Sequence, residues 1–404
     1  MIPRHTDLRL VVVLVASACA ADAGRDSAAL VRDSVGIRIV ENLEPAWVPG
    51  EEWRLGPEPI LDIGRAEGEP EYQLFRAASA LRLADGRIVI ANAGTHELRF
   101  YDAAGRHLTT SGRKGGGPGE FEGLLWVSRF RGDSLLAYDW RQRRLSVFDD
   151  QGRFARSVTL RAPDGRRISG VVGPFDDGTF VVQVQAPDDE EVVAGVVRPA
   201  ATLFRCGTDG EFGDSLASYR DVEGFQHALA GGGAMWMGRF FGRSTELFVQ
   251  GDRLYVAPTD AYEILLYSPV GVLQSVVRKR HEHLPVTDAD IKSQWDRMLE
   301  RYESDPNARA TVVGVLNAMP MHRTMPAFSS VLVDDVGNIW VLEYSRPGDT
   351  TRRWTVFDSG GRLLGSLQPP RRFRILHLGD DFVLGKWWDE LDVEHVQLYE
   401  LIKP

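Results

Sequence analysis

Apolar and polar positions alternate with period two along most of the chain after about residue 53. The clearest run is residues 78–83, 87–91, 97–101 and 106–110, four short segments separated by turn residues. Alternation of this kind puts one face of a strand on a core and the other toward solvent. The unit repeats. A Gly-containing turn precedes an apolar strand six times, at Asp85-Gly86, Gly132-Asp133, Asp177-Gly178, Gly251-Asp252, Gly337-Asn338 and Gly379-Asp380. Such pairs supply the positive φ that tight hairpins require. An apolar residue and an aromatic then end a later strand, at Phe100-Tyr101, Val147-Phe148, Leu203-Phe204, Leu266-Tyr267, Val356-Phe357 and Leu398-Tyr399. In five of these a glycine follows: Gly105, Gly152, Gly207, Gly271 and Gly360.

Two signals in strict alternation predict an all-β chain of six four-stranded antiparallel units. A single such unit cannot bury both of its faces, and radial stacking solves that. The expectation is a six-bladed β-propeller. Its last unit supplies strands at 373–378, 382–386 and 394–401 and then the chain ends. Residues 59–64 have the shape of the missing fourth strand, so an N-terminal strand is expected to join the last blade and close the ring.

The motif Gly115-Gly116-Gly117-Pro118-Gly119-Glu120-Phe121, followed by Leu135-Leu136-Ala137-Tyr138-Asp139 and Leu145-Ser146-Val147-Phe148-Asp149, resembles NHL-type propeller repeats. From about Val35 onward the chain resembles the bacterial six-bladed propeller family related to NHL-repeat proteins. The third unit departs most, with Arg205-Cys206 after Phe204. The resemblance speaks for fold and is nearly silent on function.

Insertions break the even spacing. The fourth and fifth aromatics, Tyr267 and Phe357, are 90 residues apart by subtraction, against 47 for the first pair, Tyr101 and Phe148. Extra residues fall at 185–198, 220–239 and 280–327. Antiparallel wiring puts all three on one face of the disc, opposite the tight turns, which marks that face as the expected binding face. The largest insertion opens with Thr287-Asp288-Ala289-Asp290, a capping box with Asp in the last place. Ile291, Trp295, Met298, Leu299 and Tyr302 follow at helical spacing, so one helix is expected, limited by Pro306.

Candidate chemistry is sparse. Second strands end on the loop-rich face at Asn92, Asp139 and Glu343, whose oxygens suit a hard cation such as Ca²⁺. The propeller resemblance implies hydrolases and lyases with a metal at the channel mouth as one functional class. The competing expectation ties each of these residues to its own turn. His281, His283 and His322 are the only concentration of histidines, without the spacing of a zinc site. Residues 115–119 lack the Lys-Ser/Thr of a phosphate loop, and no nucleophile elbow or H-E-x-x-H occurs. Arg239, Arg346, Trp387 and Trp388 are the candidate binding hot spots. Met321 and Met325 are expected to form an adaptable apolar rim near the channel.

Composition and the N-terminus set the context. The 404 residues carry a formal net charge of −10, which argues against nucleic acid as a partner. Arg4 and Arg9 precede a short apolar stretch and then Ala16-Ser17-Ala18-Cys19-Ala20, the layout of an export signal over residues 1–20. Two processing readings stand. In one, Cys19 is lipidated as in a bacterial lipoprotein; in the other, the signal is cleaved for ordinary secretion. Residues 21–52 read as a linker or arm and 53–404 as the propeller. The function classes left are a non-catalytic binding propeller of the bacterial envelope, in the periplasm or at the cell surface, and a calcium-dependent hydrolase or lyase. The first would take a protein, peptide or glycan partner, and would touch the membrane only through a lipid on Cys19.

Overall fold

The strand segments pair as successive antiparallel sheets in a computed structural model that describes residues 29–186, 194–229 and 232–404. The expected signal and Cys19 lie outside the described residues. The first sheet is Ala77–Arg82, Ile88–Asn92, Glu97–Tyr101 and His107–Ser111 in that order. Sheets of the same layout begin with Leu124–Arg129, Ile168–Pro174, Thr245–Gln250, Phe328–Val333 and Phe373–Leu378.

Strand position within a sheet explains its residue pattern. Ile88–Asn92 and Leu135–Asp139 are buried at every residue, because each lies mid-sheet with another sheet packed on either face. The outer strand His107–Ser111 alternates between half-buried and exposed. The tight turns are built by aspartate. Asp102 accepts from the Ala104 and Arg106 amides, Asp149 from Gln151 and Arg153, and Asp358 from Gly360 and Arg362. These Asx turns explain the aromatic-Asp-x-x-Gly repeat. In two units the left-handed residue is a later glycine than the spacing suggested: Gly210 (φ 92°) in the third and Gly361 (φ 88°) in the fifth.

Core residues gather between consecutive sheets. Phe121 and Phe148 join the first two, Tyr138 and Phe180 the next pair, and Leu203 and Val249 the third and fourth. Phe328 and Phe357 pack in the cluster shared by the fourth and fifth sheets, and Trp340 with Tyr399 in that of the fifth and sixth. Ile90 of the first sheet packs with Leu384 of the sixth. The result is a propeller-type, all-β fold.

Residues 29–63 run along the outer edges of three sheets. Strands β1 (Ala29–Ser34) and β2 (Ile37–Asn42) form a hairpin, and β2 runs parallel to Leu273–Lys279 on the outer edge of the fourth sheet. The buried Asn42 side chain ends that hairpin. It donates to the Arg278 and Gly361 carbonyls at 3.0 and 2.9 Å and accepts from the Leu363 amide at 2.7 Å. A Cβ on Gly361 would lie 2.5 Å from Val277, so this crossing needs glycine for space as well as for φ. The Ala46 and Trp47 amides then donate to the fifth sheet's edge at Leu363 and Leu364. Trp47, Trp53 and Trp340 form an aromatic stack with centroid spacings of 5.4 and 6.0 Å. Arg54–Leu55 and Leu61–Ile63 finally pair with Glu394–Ile402, with Leu61 opposite Leu398 and Ile63 opposite Val396.

The insertions contain more structure than expected. Helix α1 (Asp288–Glu300) has both hydrogen bonds of the Thr287 capping box. Pro306 starts a second helix, α2 (Pro306–Ala318), with Asp305 capping the Asn307 and Ala308 amides. Proline is favoured at a first helical turn, so its reading as a stop missed this helix. A three-stranded sheet, Gly195–Val197, Gly224–Ala228 and Ala234–Gly238, joins the first two insertions. Phe225, Met237 and Phe241 pack with Val315 and Leu316 of α2 to make one cap on the loop-rich face.

Candidate functional site

The first strands of all six larger sheets line one cavity of about 570 Å³. The lining lies toward the C-terminal ends of those strands, at Ser79, Val127, Gly173, Phe248, Val333 and Leu378. The cavity therefore opens on the tight-turn face. A shallower groove continues outward past Asp176, Gln250 and Asp335.

Its walls mix apolar and polar surface and its mouth is polar. Trp126, half-buried, is oriented by an Nε1 hydrogen bond to the Val171 carbonyl at 3.2 Å and by the Tyr138 ring 5.6 Å away. At the mouth, Arg129 Nη1 donates to Asp335 Oδ2 at 3.1 Å, and His377 Nε2 donates to Asp335 Oδ1 at 3.2 Å. The Arg82 amide donates to His377 Nδ1 at 3.0 Å, which fixes the proton on Nε2. Arg129 Nη2 also holds the Arg82 carbonyl, at 2.5 Å. Four sheets thus contribute to one network, since Arg82, Arg129, Asp335 and His377 come from the first, second, fifth and sixth.

Burial alone would raise the Asp335 pKa, but the His377 hydrogen bond and the Arg129 charge outweigh it and hold the carboxyl below its usual value. A carboxyl depressed in the folded state stabilises the fold above its unfolded pKa of about 4, and that contribution is lost as pH falls through the lower native value. The stability difference between wild type and Asp335→Asn is expected to be constant above about pH 5 and to shrink on acidification. Guanidinium unfolding across pH checks this; a difference that widens toward acid contradicts the assignment.

Residues singled out from sequence occupy other places. Asn92 accepts from the Phe75 amide at 2.8 Å and donates to Thr95 at 2.7 Å. Asp139 accepts four backbone amides, from Glu122, Gly123, Arg141 and Gln142. Glu343 Oε1 receives Tyr262, Lys279 and Thr355. Each is bound by its own surroundings, and among the described residues no three His, Cys, Asp or Glu side chains group to hold a metal ion. His281 and His283 stack edge to face at 5.2 Å, while His322 meets Glu223 at 2.5 Å.

Arg239 and Arg346 serve as internal clamps of the cap. Arg239 holds Glu223 at 2.8 Å and the Pro320 carbonyl at 2.7 Å, and Arg346 holds Asp290 at 2.5 Å. Met325 is fully buried and Met321 half-buried in the cap core, so they form no channel rim. Trp387 and Trp388 are half-buried at the end of a sixth-sheet strand, against His395 and Lys386 respectively. Sequence reasoning missed the axial residues. One signal was available: Arg82, Arg129 and Gln250 are each the last residue of their sheet's first strand.

These features define a β-propeller-type protein with an axial cavity on its tight-turn face. No protein-family model and no curated protein matches the sequence. Among solved structures, a Bacteroides fragilis protein described as exported is similar at a TM-score of 0.50 and 12% identity, over 90% of this chain and 100% of that one. A DUF4221-family member from Bacteroides vulgatus gives 0.50 at 9% identity, over 88% of this chain and 99% of its own. Virginiamycin B lyase from Staphylococcus aureus gives 0.40 at 11% identity, over 87% and 100%. The first two likenesses bear on fold alone.

Proposed function

We propose that this chain is an exported six-bladed β-propeller of the bacterial envelope, related to NHL-repeat propellers, that binds an organic ligand without transforming it. The ligand enters the axial cavity. One observation carries the reading: a single cavity is lined by the first strands of six sheets and rimmed by the Arg129–Asp335–His377 network. A concave site that combines apolar side chains with a few convergent polar groups has the usual character of a ligand site. The ligand class that fits has an apolar body and a polar end, free or carried on a peptide or glycan.

The count of six blades rests on the core clusters shared by consecutive sheets, including the one joining the sixth sheet to the first. Closure by the N-terminal segment rests on the pairing of Leu61–Ile63 with Glu394–Ile402. The export signal and the exported Bacteroides relative support an envelope location, with Cys19 as the lipid attachment point if the signal is of lipoprotein type. The tight-turn face is favoured over the loop-rich face because Arg239 and Arg346 are consumed in holding the cap. Calcium-dependent hydrolase or lyase chemistry through Asn92, Asp139 and Glu343 would require those groups to leave the bonds that hold their turns.

A thermal-shift screen with N-acylated aromatic amino acids, short peptides and disaccharides tests the assignment. Compounds that raise the melting temperature are expected to bind at least about tenfold more weakly to Ser128→Trp, which fills the cavity, and normally to Arg346→Ala. Binding that survives Ser128→Trp and is lost in Arg346→Ala would move the site to the capped face.

A further inference from the structure

Every methionine apart from Met1 lies between residues 235 and 325: Met235, Met237, Met298, Met319, Met321 and Met325. All six converge on the single apolar cluster that joins α1, α2 and the three-stranded sheet into the cap. The propeller sheets themselves contain none outside this cluster. Their one described sulfur, Cys206, is a buried free thiol whose pKa burial pushes up to about 12, which disfavours the reactive thiolate. The surface-accessible oxidisable sulfur of the described residues is therefore concentrated in one element.

The six fall into two sets. Met237, Met319 and Met325 are buried, at 7%, 4% and 0% exposure. Met235, Met298 and Met321 are half-buried at the margin of the same cluster. Met298 lies on α1, Met235 on the three-stranded sheet and Met321 just beyond α2, so one marginal thioether sits on or next to each part that the cap joins. Helix α1 has few other anchors. Among its residues only Asp290 is fully buried, and its apolar stripe is half-buried throughout.

We propose that the cap is an oxidation-sensitive element, with Met235, Met298 and Met321 as its modification sites for peroxide. In the step, the thioether sulfur attacks the peroxide oxygen, the O–O bond breaks, and the products are sulfoxide and water. The sulfur is oxidised by two electrons and the peroxide is reduced by two. A sulfoxide is polar and a poor core group, so modification at the margin loosens the packing that holds α1 and exposes the inner three methionines. The propeller below keeps its sheets, since its interfaces contain no thioether from this set.

Hydrogen peroxide treatment of the full chain, followed by peptide mass mapping and amide exchange, tests this. Sulfoxide is expected at residues 235, 298 and 321 at least about tenfold faster than at 237, 319 and 325. Exchange should then rise over 224–238 and 284–325 and stay unchanged in the sheets. Methionine sulfoxide reductase should restore the original pattern. The triple variant Met235→Leu, Met298→Leu, Met321→Leu keeps apolar volume and should show no exchange response. Equal oxidation rates for the two sets, or sulfoxide formation with unchanged cap exchange, would overturn the proposal.

Discussion

Replacing Asn42 with alanine is expected to lower the free energy of unfolding by about 2–4 kcal/mol, read as a lower guanidinium midpoint at unchanged slope. The side chain is 1% exposed and makes three hydrogen bonds, two donated and one accepted. Alanine leaves the Arg278 and Gly361 carbonyls and the Leu363 amide without these side-chain partners. Aspartate keeps the acceptor for Leu363 but sets a carboxylate oxygen against two carbonyls, so Asn42→Asp should cost at least as much. A midpoint unchanged in both variants would mean that the hairpin adds nothing to the stability of the fourth and fifth sheets.

The second large effect is expected at Asp139. The side chain is fully buried and each carboxylate oxygen takes two amides: Oδ2 those of Glu122 and Gly123, at 2.6 and 3.1 Å, and Oδ1 those of Arg141 and Gln142, at 2.9 and 3.0 Å. This one residue ties the entry of its sheet's first strand to the turn after its second. Asp139→Ala removes the partner of four backbone donors, the Gly123 amide in a buried bond and the other three in part-buried ones, and should cost about 3–5 kcal/mol. Asp139→Asn satisfies one pair and opposes the other with its own NH₂, so it should fall between. Urea unfolding of the three proteins orders them. A tolerated Asp139→Ala with a defect only in calcium response would instead favour the metal reading of this position.

What the sequence disclosed divides by range. Strand positions came through because turn chemistry is local. The expected segments of the first sheet lie within one residue of those observed, since Asp102 and Gly105 fix the turn whatever surrounds them. The Thr287 cap was legible for the same reason. The axial cavity was not, because Arg129, Asp335 and His377 are brought together only when sheets far apart in sequence share an axis. Arg239 and Arg346 misled in the same way. An arginine in an inserted loop reads as a binding residue until its partners Glu223 and Asp290 are known. Asn42 sits in a stretch that looks like a tether, and nothing nearby in sequence announces that Gly361 and Leu363 await it.

The N-terminal strap has a consequence for how the molecule comes into being. Asn42 bonds residues 319 and 321 positions later, and Asp62 bonds His395 and Gln397 at separations of 333 and 335. Loop-closure entropy makes such contacts the last to form during synthesis and folding. Until the last strand, Glu394–Ile402, emerges, Arg54–Leu55 and Leu61–Ile63 have no strand to pair with, and such unpaired edges invite pairing with another chain. A nascent chain of this design depends on rapid completion or on a chaperone that shields those edges, and its yield should fall steeply with protein concentration on refolding.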